Sequence, residues 1–393
     1  MDYRPLPDDR EDEFRAFVTY AFRPESGPHD PDEEIPEPAT IGDPYGVFDG
    51  DELLSVCRHY WFTTHLRGAT HPMAGLSAVA TPPENRRRGL VRRMLAESLE
   101  AYRERGYYLS ALWPFKHPFY AQFEWATSTT FLEHECEPDA LSFARDAAPA
   151  GTWERLEADD WERLAPILST HGADYELTLD RTEEWWRKRV FTGWEKDPYV
   201  YCWQDESGDD RAYVVYTVES DGEKTLESHD VAWVDHDARL AALGFLADHD
   251  SQVSNVKFYG ASDSDLVHLA PDPREIETKL HAGPMVRIVD VEDALTALDY
   301  QTDESVVLDI EDDLADWNDD TYRITTTDGT GTVEPVDETA DATLGIGALT
   351  QLVVGERTAT DLATTGDIDA DADTIDALDA LYPETTPFLR EGF

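Results

Sequence analysis

Residues 75–120 read GLSAVATPPENRRRGLVRRMLAESLEAYRERGYYLSALWPFKHPFY, and the fold turns on this stretch. Its first run, Gly75 to Thr81, is dense in small and apolar residues and predicts a buried strand. Pro82 and Pro83 break that strand, and three arginines and Gly89 follow. Val91, Met94, Leu95, Leu99 and Tyr102 then recur at three- and four-residue spacing, which predicts a helix with one apolar stripe. Gly106 falls where that helix should stop, and Tyr107 to Trp113 predicts a second strand. The unit is strand, basic glycine turn, helix, strand.

A helix N-terminus presents unpaired backbone N–H groups and a partial positive charge, so it suits a phosphate. Gly89 has no Cβ to keep a ligand off the main chain. Arg86, Arg87, Arg88, Arg92 and Arg93 crowd five positive charges into eight positions. Arginine-rich helix starts are usually solvated basic faces. Here the basic island lies in an overwhelmingly acidic chain, and a phosphate cradle accounts for it better.

The segment Arg86-Arg87-Arg88-Gly89-Leu90-Val91 resembles the pyrophosphate loop of the GNAT N-acetyltransferases, whose pattern is Arg/Gln-x-x-Gly-x-Gly/Ala. Within that superfamily, GLSAVATPPENRRRGL followed by FYAQFEWA (Phe119 to Ala126) resembles the enhanced-intracellular-survival, or Eis-type, branch. That branch usually reads V-x-P-x-x-R-R-R-G-L and later I-Y-x-R-F-G-Y-G. Length, order of segments and the terminal Phe393 extend the resemblance over the whole chain.

At 393 residues the chain exceeds what one hydrophobic core serves, so two or three domains are expected. Apolar content of 41%, with 11 Trp, 17 Tyr and 15 Phe, is ample for folded cores and argues against disorder of the whole chain. Net charge is −52, from 84 acidic and 32 basic residues, and only six of the basic residues are Lys. Acids spread along the whole chain with scarce Lys favour a salt-adapted surface over a binding face for cations. Such a surface would repel a phosphate backbone, so nucleic acid is not an expected partner. Cys57, Cys136 and Cys202 form no CxxC pair or zinc pattern, which suits a reducing cytoplasm. No secretory leader or 18-residue apolar run is present, so no membrane span is expected.

The expected fold is α/β (α+β), with domains at 1–135, 136–284 and 285–393. In the first, Glu11 to Phe22 predicts a helix with Phe14, Phe17, Val18 and Phe22 on one face, and Tyr45–Phe48 and Leu53–Phe62 predict strands. Pro24 to Pro44 predicts a loop rich in Pro, Asp, Glu and Gly. In GNAT enzymes the equivalent region borders the acceptor pocket, so its acids either attract an amine or are simply salt-adapted surface. Ser128 to Gly151 is expected to lead out of this domain as a polar segment.

In the second domain Leu164–Leu168 and Trp185–Val190 predict helices, and Tyr199–Trp203 and Ala212–Val218 strands. Val231–Val234, Ala238–Leu246 and Val256–Gly260 repeat strand, helix, strand. Asp235 and Asp237 at that helix start would repel a pyrophosphate, so a GNAT-like domain without the cofactor site is expected. In the third, Val306–Ile310, Thr321–Thr326 and Gly331–Val333 predict strands, and Leu344–Leu352 and Ile375–Tyr382 helices. The resemblance implies a sterol carrier protein-like fold there. Asp367, Asp369, Asp371 and Asp373 alternate like a calcium loop, but Ala372 stands sixth and Leu378 twelfth where Gly and Glu are required. No metal is expected.

Acetyl transfer from acetyl-CoA, the co-substrate the resemblance implies, needs a held cofactor, a polarised thioester, a neutral amine and a protonated leaving thiolate. By resemblance Val79, Ala80 and Thr81 supply main-chain donors, and Arg87, Arg88, Gly89, Leu90, Val91 and Arg92 hold the pyrophosphate. Phe115 and Lys116 match family positions beside the cofactor. Tyr120 matches the family's general acid, and a phenol near pKa 10 stays protonated at neutral pH. The C-terminal carboxylate of Phe393 takes the place of the family's general base. An α-carboxylate near pKa 3.5 is a poor base unless burial raises it or it works through water. Gly392 stands where family members often carry Glu.

No HExxH, GxSxG or Walker loop competes. His134 and Cys136 lack further ligands and read as structural. The expectation is an acetyl-CoA-dependent N-acetyltransferase acting on a small cationic amine (aminoglycoside-like, polyamine or lysine), cytoplasmic and, by resemblance, hexameric. The alternative is a non-catalytic protein carrying an apolar ligand in its third domain.

Overall fold

The computed structural model describes residues 1–393, the side chain of Asp221 excepted. Three mixed sheets organise it. The first orders its strands Asp2–Pro5, Asp43–Asp49, Glu52–Leu66, Ala69–Ala80, Leu109–Leu112, Met285–Ile288 and Ala126–Thr127. The second runs Ile276–Ala282, Thr130–Cys136, Asn255–Ala261, Glu223–Trp233, Asp210–Asp221, Tyr199–Asp205 and Gly151–Arg155. The third runs Thr330–Pro335, Asp320–Thr327, Ser305–Glu311, Ala342–Gly345 and Ile368–Ala370.

The helix Leu90–Glu104 forms because its apolar residues fall on one face, burying Met94, Leu95, Leu99 and Tyr102 against the first sheet. It ends as its sequence dictates, with Gly106 left-handed at φ 77° and the Tyr107 N–H returning to Tyr102 O at 2.9 Å. Spending Tyr107 on that closure shortens the following strand to Leu109–Leu112, against the expected Tyr107–Trp113. The helix Glu11–Phe22 matches its expected bounds. Phe14 is buried, but Phe22 is 54% exposed and lies off the packed face.

Two stretches differ from expectation for one reason. Residues 128–151, expected as a polar lead-out, hold the strand Thr130–Cys136 and the helix Ser142–Ala147. The strand pairs with Asn255–Ala261 and Ile276–Ala282, so it belongs to the second sheet. Conversely Met285–Ile288, expected at the start of the third domain, lies between Leu109–Leu112 and Ala126–Thr127 in the first sheet. The chain thus crosses between sheets at 127–130 and back at 282–285. Leu344, expected in a helix, lies in the strand Ala342–Gly345 that pairs with Ser305–Glu311, and the helix begins at Ile346.

The second sheet carries the helix His236–Ala247, and the third packs on Ile346–Val354 and Ala372–Leu381. One apolar cluster runs from Phe62 in the first sheet through Trp186 to Leu308 and Leu349. The three units therefore share a core. In the acidic run, Asp371 caps Ala372–Leu381 by accepting from Thr374 N at 2.9 Å, while Asp367 accepts from Arg357 at 2.9 Å. Among the described residues no helix is long and apolar enough to cross a membrane.

Candidate active site

The strand Ala69–Ala80 runs parallel to Leu109–Leu112 only where Met73, Ala74 and Gly75 face Leu109, Ser110 and Ala111. Beyond Gly75 the two part. On its other side the pairing slips between Arg58↔Ser77 and Val56↔Ala80, with Ala78 in left-handed backbone at φ 51°. Such a bulge inserts an unpaired residue and bends the strand. Main chain from Leu76 to Thr81, with Val79 and Ala80 in it, is left without a strand partner on the splayed side. Pro82 and Pro83 then end the ladder because they have no N–H.

Over this opening begins the helix Leu90–Glu104. Gly89 sits at its start with φ 76°, a conformation that demands glycine, and an added Cβ would meet nothing within 4 Å. No side chain caps the helix and its first turn holds no acid, so its N–H groups remain available. Arg86 donates to Thr81 O (2.9 Å), Arg88 to Asn85 Oδ1 (2.8 Å) and Arg92 to Asp313 O (2.6 Å), all uncharged oxygens. Only Arg93 of the five has a carboxylate partner among the described residues, Glu97 at 2.8 Å. The positive charge of the turn is therefore left uncancelled. The corresponding helix of the second unit, His236–Ala247, is sealed by Asp235, which accepts from Ala238 N at 2.9 Å, with Asp237 in its first turn.

Tyr120 stands on the short helix His117–Ala121 and is 4% exposed. Its ring meets Phe119 and Phe115 edge-on, at centroid distances of 5.1 and 5.7 Å. Burial pushes its phenol pKa above the usual value, so it is protonated at neutral pH. Phe115 is exposed, and Lys116 precedes the short helix on the surface. Burial also pushes the Cys57 thiol up to about 12 and the buried His59 down to about 3. Neither has the ionisation of an activated nucleophile or base.

Three units converge on the chain end. Thr386 and Phe388 pair with Glu176 through Glu176 N to Thr386 O (3.1 Å) and Phe388 N to Glu176 O (2.8 Å). Arg390 donates to Asp230 at 2.7 Å, and Arg181 bonds both Asp230 and Glu391 Oε1, the latter at 2.8 Å. Burial alone would raise the Asp230 carboxyl, but Arg181 and Arg390 outweigh it and hold it at about 2. Trp113 Nε1 donates to Glu391 O at 2.8 Å, and Arg189 to Gly392 O at 3.2 Å and Tyr60 OH at 2.6 Å. The Phe393 ring then lies 4.9 Å from Phe62 and 5.6 Å from Tyr60, and a Cβ on Gly75 would come within 3.0 Å of it. The last residue is thus seated on the first sheet where the two strands begin to part. Among the described residues no hydrogen bond or ring contact joins Tyr120 to Phe393.

A cavity of about 350 Å³ opens beside residues 390–392, with Pro38 of the acidic loop on its wall. Its lining balances Glu195, Glu219, Asp230 and Glu391 against Arg181, Arg189, Lys196 and Arg390. Glu391 Oε2 is buried there without a hydrogen-bond partner. Sequence reasoning missed the residues that hold the tail. Arg181 and Glu391 stand 210 positions apart, and Arg390 and Asp230 stand 160 apart, so no spacing signals them.

Residues 2–128 and 177–288 each match a family described as an acetyltransferase (GNAT) domain, and residues 291–390 a sterol carrier protein domain. An uncharacterized N-acetyltransferase of Streptomyces avermitilis is 28% identical over 343 residues, covering 82% of this chain and 81% of its own length. N-acetyltransferase Eis of Mycobacterium tuberculosis is 26% identical over 335 residues, 80% of this chain and 79% of its own. The crystal structure of Eis1 from Mycobacterium abscessus superposes with TM-score 0.78 at 25% identity, over all of both chains. That of a probable N-acyltransferase from Enterococcus faecalis superposes at 0.89, with 24% identity, over 100% of this chain and 99% of its own.

Proposed function

Since the chain is a GNAT N-acetyltransferase of the Eis type, with two GNAT domains and a sterol carrier protein domain, we propose that it moves the acetyl group of acetyl-CoA directly to a primary amine. Cofactor and acceptor are held together in one ternary complex. The acceptor is a small amine of the aminoglycoside, polyamine or lysine kind. What carries the reading is the seat of Phe393 against Gly75, beside the splayed strand, where Trp113 of the first unit and Arg189 of the second hold the residues just before it.

Main-chain groups of Val79, Ala80 and Thr81 bind the pantetheine arm and the thioester oxygen along the splayed strand. Arg87, Arg88, Gly89, Leu90, Val91 and Arg92 hold the pyrophosphate with N–H groups and uncancelled charge. Phe115 and Lys116 flank the cofactor. The amine enters through the cavity beside residues 390–392, on whose wall Glu195 and Glu219 stand. That lining is charge-balanced, which suits one amine at a time more than a long polycation.

The Phe393 carboxylate takes a proton from the ammonium, directly or through water. The freed nitrogen attacks the thioester carbon, the C–S bond breaks as the Tyr120 hydroxyl gives its proton to the departing sulfur, and the second proton that the nitrogen sheds in becoming an amide restores that hydroxyl through water. A raised phenol pKa does not bar this step, since a thiolate leaving into the same desolvated site has its own proton affinity raised.

Thiol release from acetyl-CoA across polyamines, aminoglycosides and lysine peptides tests the reading, with Tyr120→Phe alongside wild type. Release that needs an acceptor and falls at least about tenfold in the variant is expected. Equal release by both removes Tyr120 from the chemistry.

A further inference from the structure

The turn that follows Tyr120 is tied to the third unit at two points. Glu124, four residues on, adopts left-handed backbone at φ 64°, a conformation that disfavours any side chain. The Eis-type pattern I-Y-x-R-F-G-Y-G has glycine at this place, where the conformation carries no penalty. Here the side chain has a use. Its Oε2 accepts the Gly347 N–H at 3.1 Å, in the first turn of the nine-residue helix Ile346–Val354. The fit is close: a Cβ on Gly347 would stand 2.8 Å from Glu124 Oε2. Next to it Arg287, fully buried, donates to Phe123 O at 2.6 Å and to Asp312 Oδ1 at 2.6 Å. Asp312 follows the third sheet's strand Ser305–Glu311, and its neighbour Asp313 accepts from Arg92 of the basic turn.

We propose that Glu124 is a positioning residue for acetyl transfer, through which the N-terminus of the helix Ile346–Val354 holds the turn that carries Tyr120. The third unit then sets the geometry of the first unit's active site. This rests on the reading of Tyr120 as the general acid. Glu124 touches no reacting atom; it acts on where the short helix His117–Ala121 lies. Negative charge at a helix start is favourable, and a neutral amide oxygen of the same reach could still accept the Gly347 N–H.

The test uses the full-length protein with Glu124→Gln, Glu124→Gly and Gly347→Ala. Two quantities are measured: kcat for acetyl-CoA-dependent acetylation of kanamycin and spermidine, and amide hydrogen exchange over residues 115–127. Glu124→Gly relieves the backbone and removes only the tether. It and Gly347→Ala should speed exchange and lower kcat about tenfold, with acetyl-CoA affinity by calorimetry unchanged. Glu124→Gln should keep both near wild type. Adding Gly347→Ala to Glu124→Gly should cost less than the sum of the two, since both break the Glu124–Gly347 contact. The proposal is overturned if Gly347→Ala, made in the third unit, leaves exchange over 115–127 at the wild-type rate. Faster exchange together with a fully active Tyr120→Phe would uphold the tether and sink the general-acid reading instead.

Discussion

Tyr120 is buried, and burial raises its pKa above the unperturbed value of about 10. A group with a raised folded pKa stays protonated up to that pKa. As the acid, Tyr120 is therefore competent across neutral and moderately alkaline pH and fails only above about 10. A pH profile of kcat should show no alkaline loss below that point. A fall near pH 8 that disappears in Tyr120→Phe would contradict the assignment. Gly75 needs no unusual backbone; it is small because Phe62 and Phe393 close over it. A Cβ there would stand 2.5 Å from the Phe62 ring and 3.0 Å from that of Phe393. Gly75→Ala should fold, shift the chain end and lower kcat about tenfold, with acetyl-CoA affinity by calorimetry held. An unchanged kcat would mean that the seat of Phe393 does not matter. In the sequence Gly75 reads only as one small residue in a strand, because its constraint comes from side chains that no spacing signals, Phe62 and Tyr60 on the neighbouring strand and Phe393 at the chain end.

The helix Leu90–Glu104 and its counterpart His236–Ala247 differ at the scale of the element. Both follow a strand and both expose an N-terminus, but one opens on Gly89 and arginines and the other on Asp235 and Asp237. This contrast was legible in the sequence, since capping chemistry is local. The bulge at Ala78 was not, because alanine gives no sign of a left-handed backbone. Likewise the strand Thr130–Cys136 reads as polar lead-out, since it is a strand by virtue of partners more than a hundred residues on. Arg87→Gln should raise the KM for acetyl-CoA about tenfold and leave kcat almost unchanged, as expected for loss of uniform binding. An unchanged KM would show that the basic turn does not hold the cofactor.

At the scale of the molecule the units are joined in two ways: the first two sheets exchange strands, and one core runs through all three units. The first unit could be read from local motifs and the second from its repeat of strand, helix, strand, while the third was implied only by the family resemblance. How the units close on one another could not, because it depends on pairs such as Arg181 with Glu391, and Arg287 with Asp312. Arg287 and Asp312 are both fully buried, and removing one partner from such a pair costs about 3–5 kcal/mol. Closure places Phe393 on the first sheet, beside the strands that the proposed reaction uses. One glycine added after Phe393 turns its carboxylate into a peptide bond and leaves the aromatic ring in place. We would measure acceptor-dependent thiol release from acetyl-CoA for this extended chain against wild type. Retained acetyl-CoA binding with at least about a tenfold loss of kcat is expected. Full turnover by the extended chain would contradict the role of the Phe393 carboxylate.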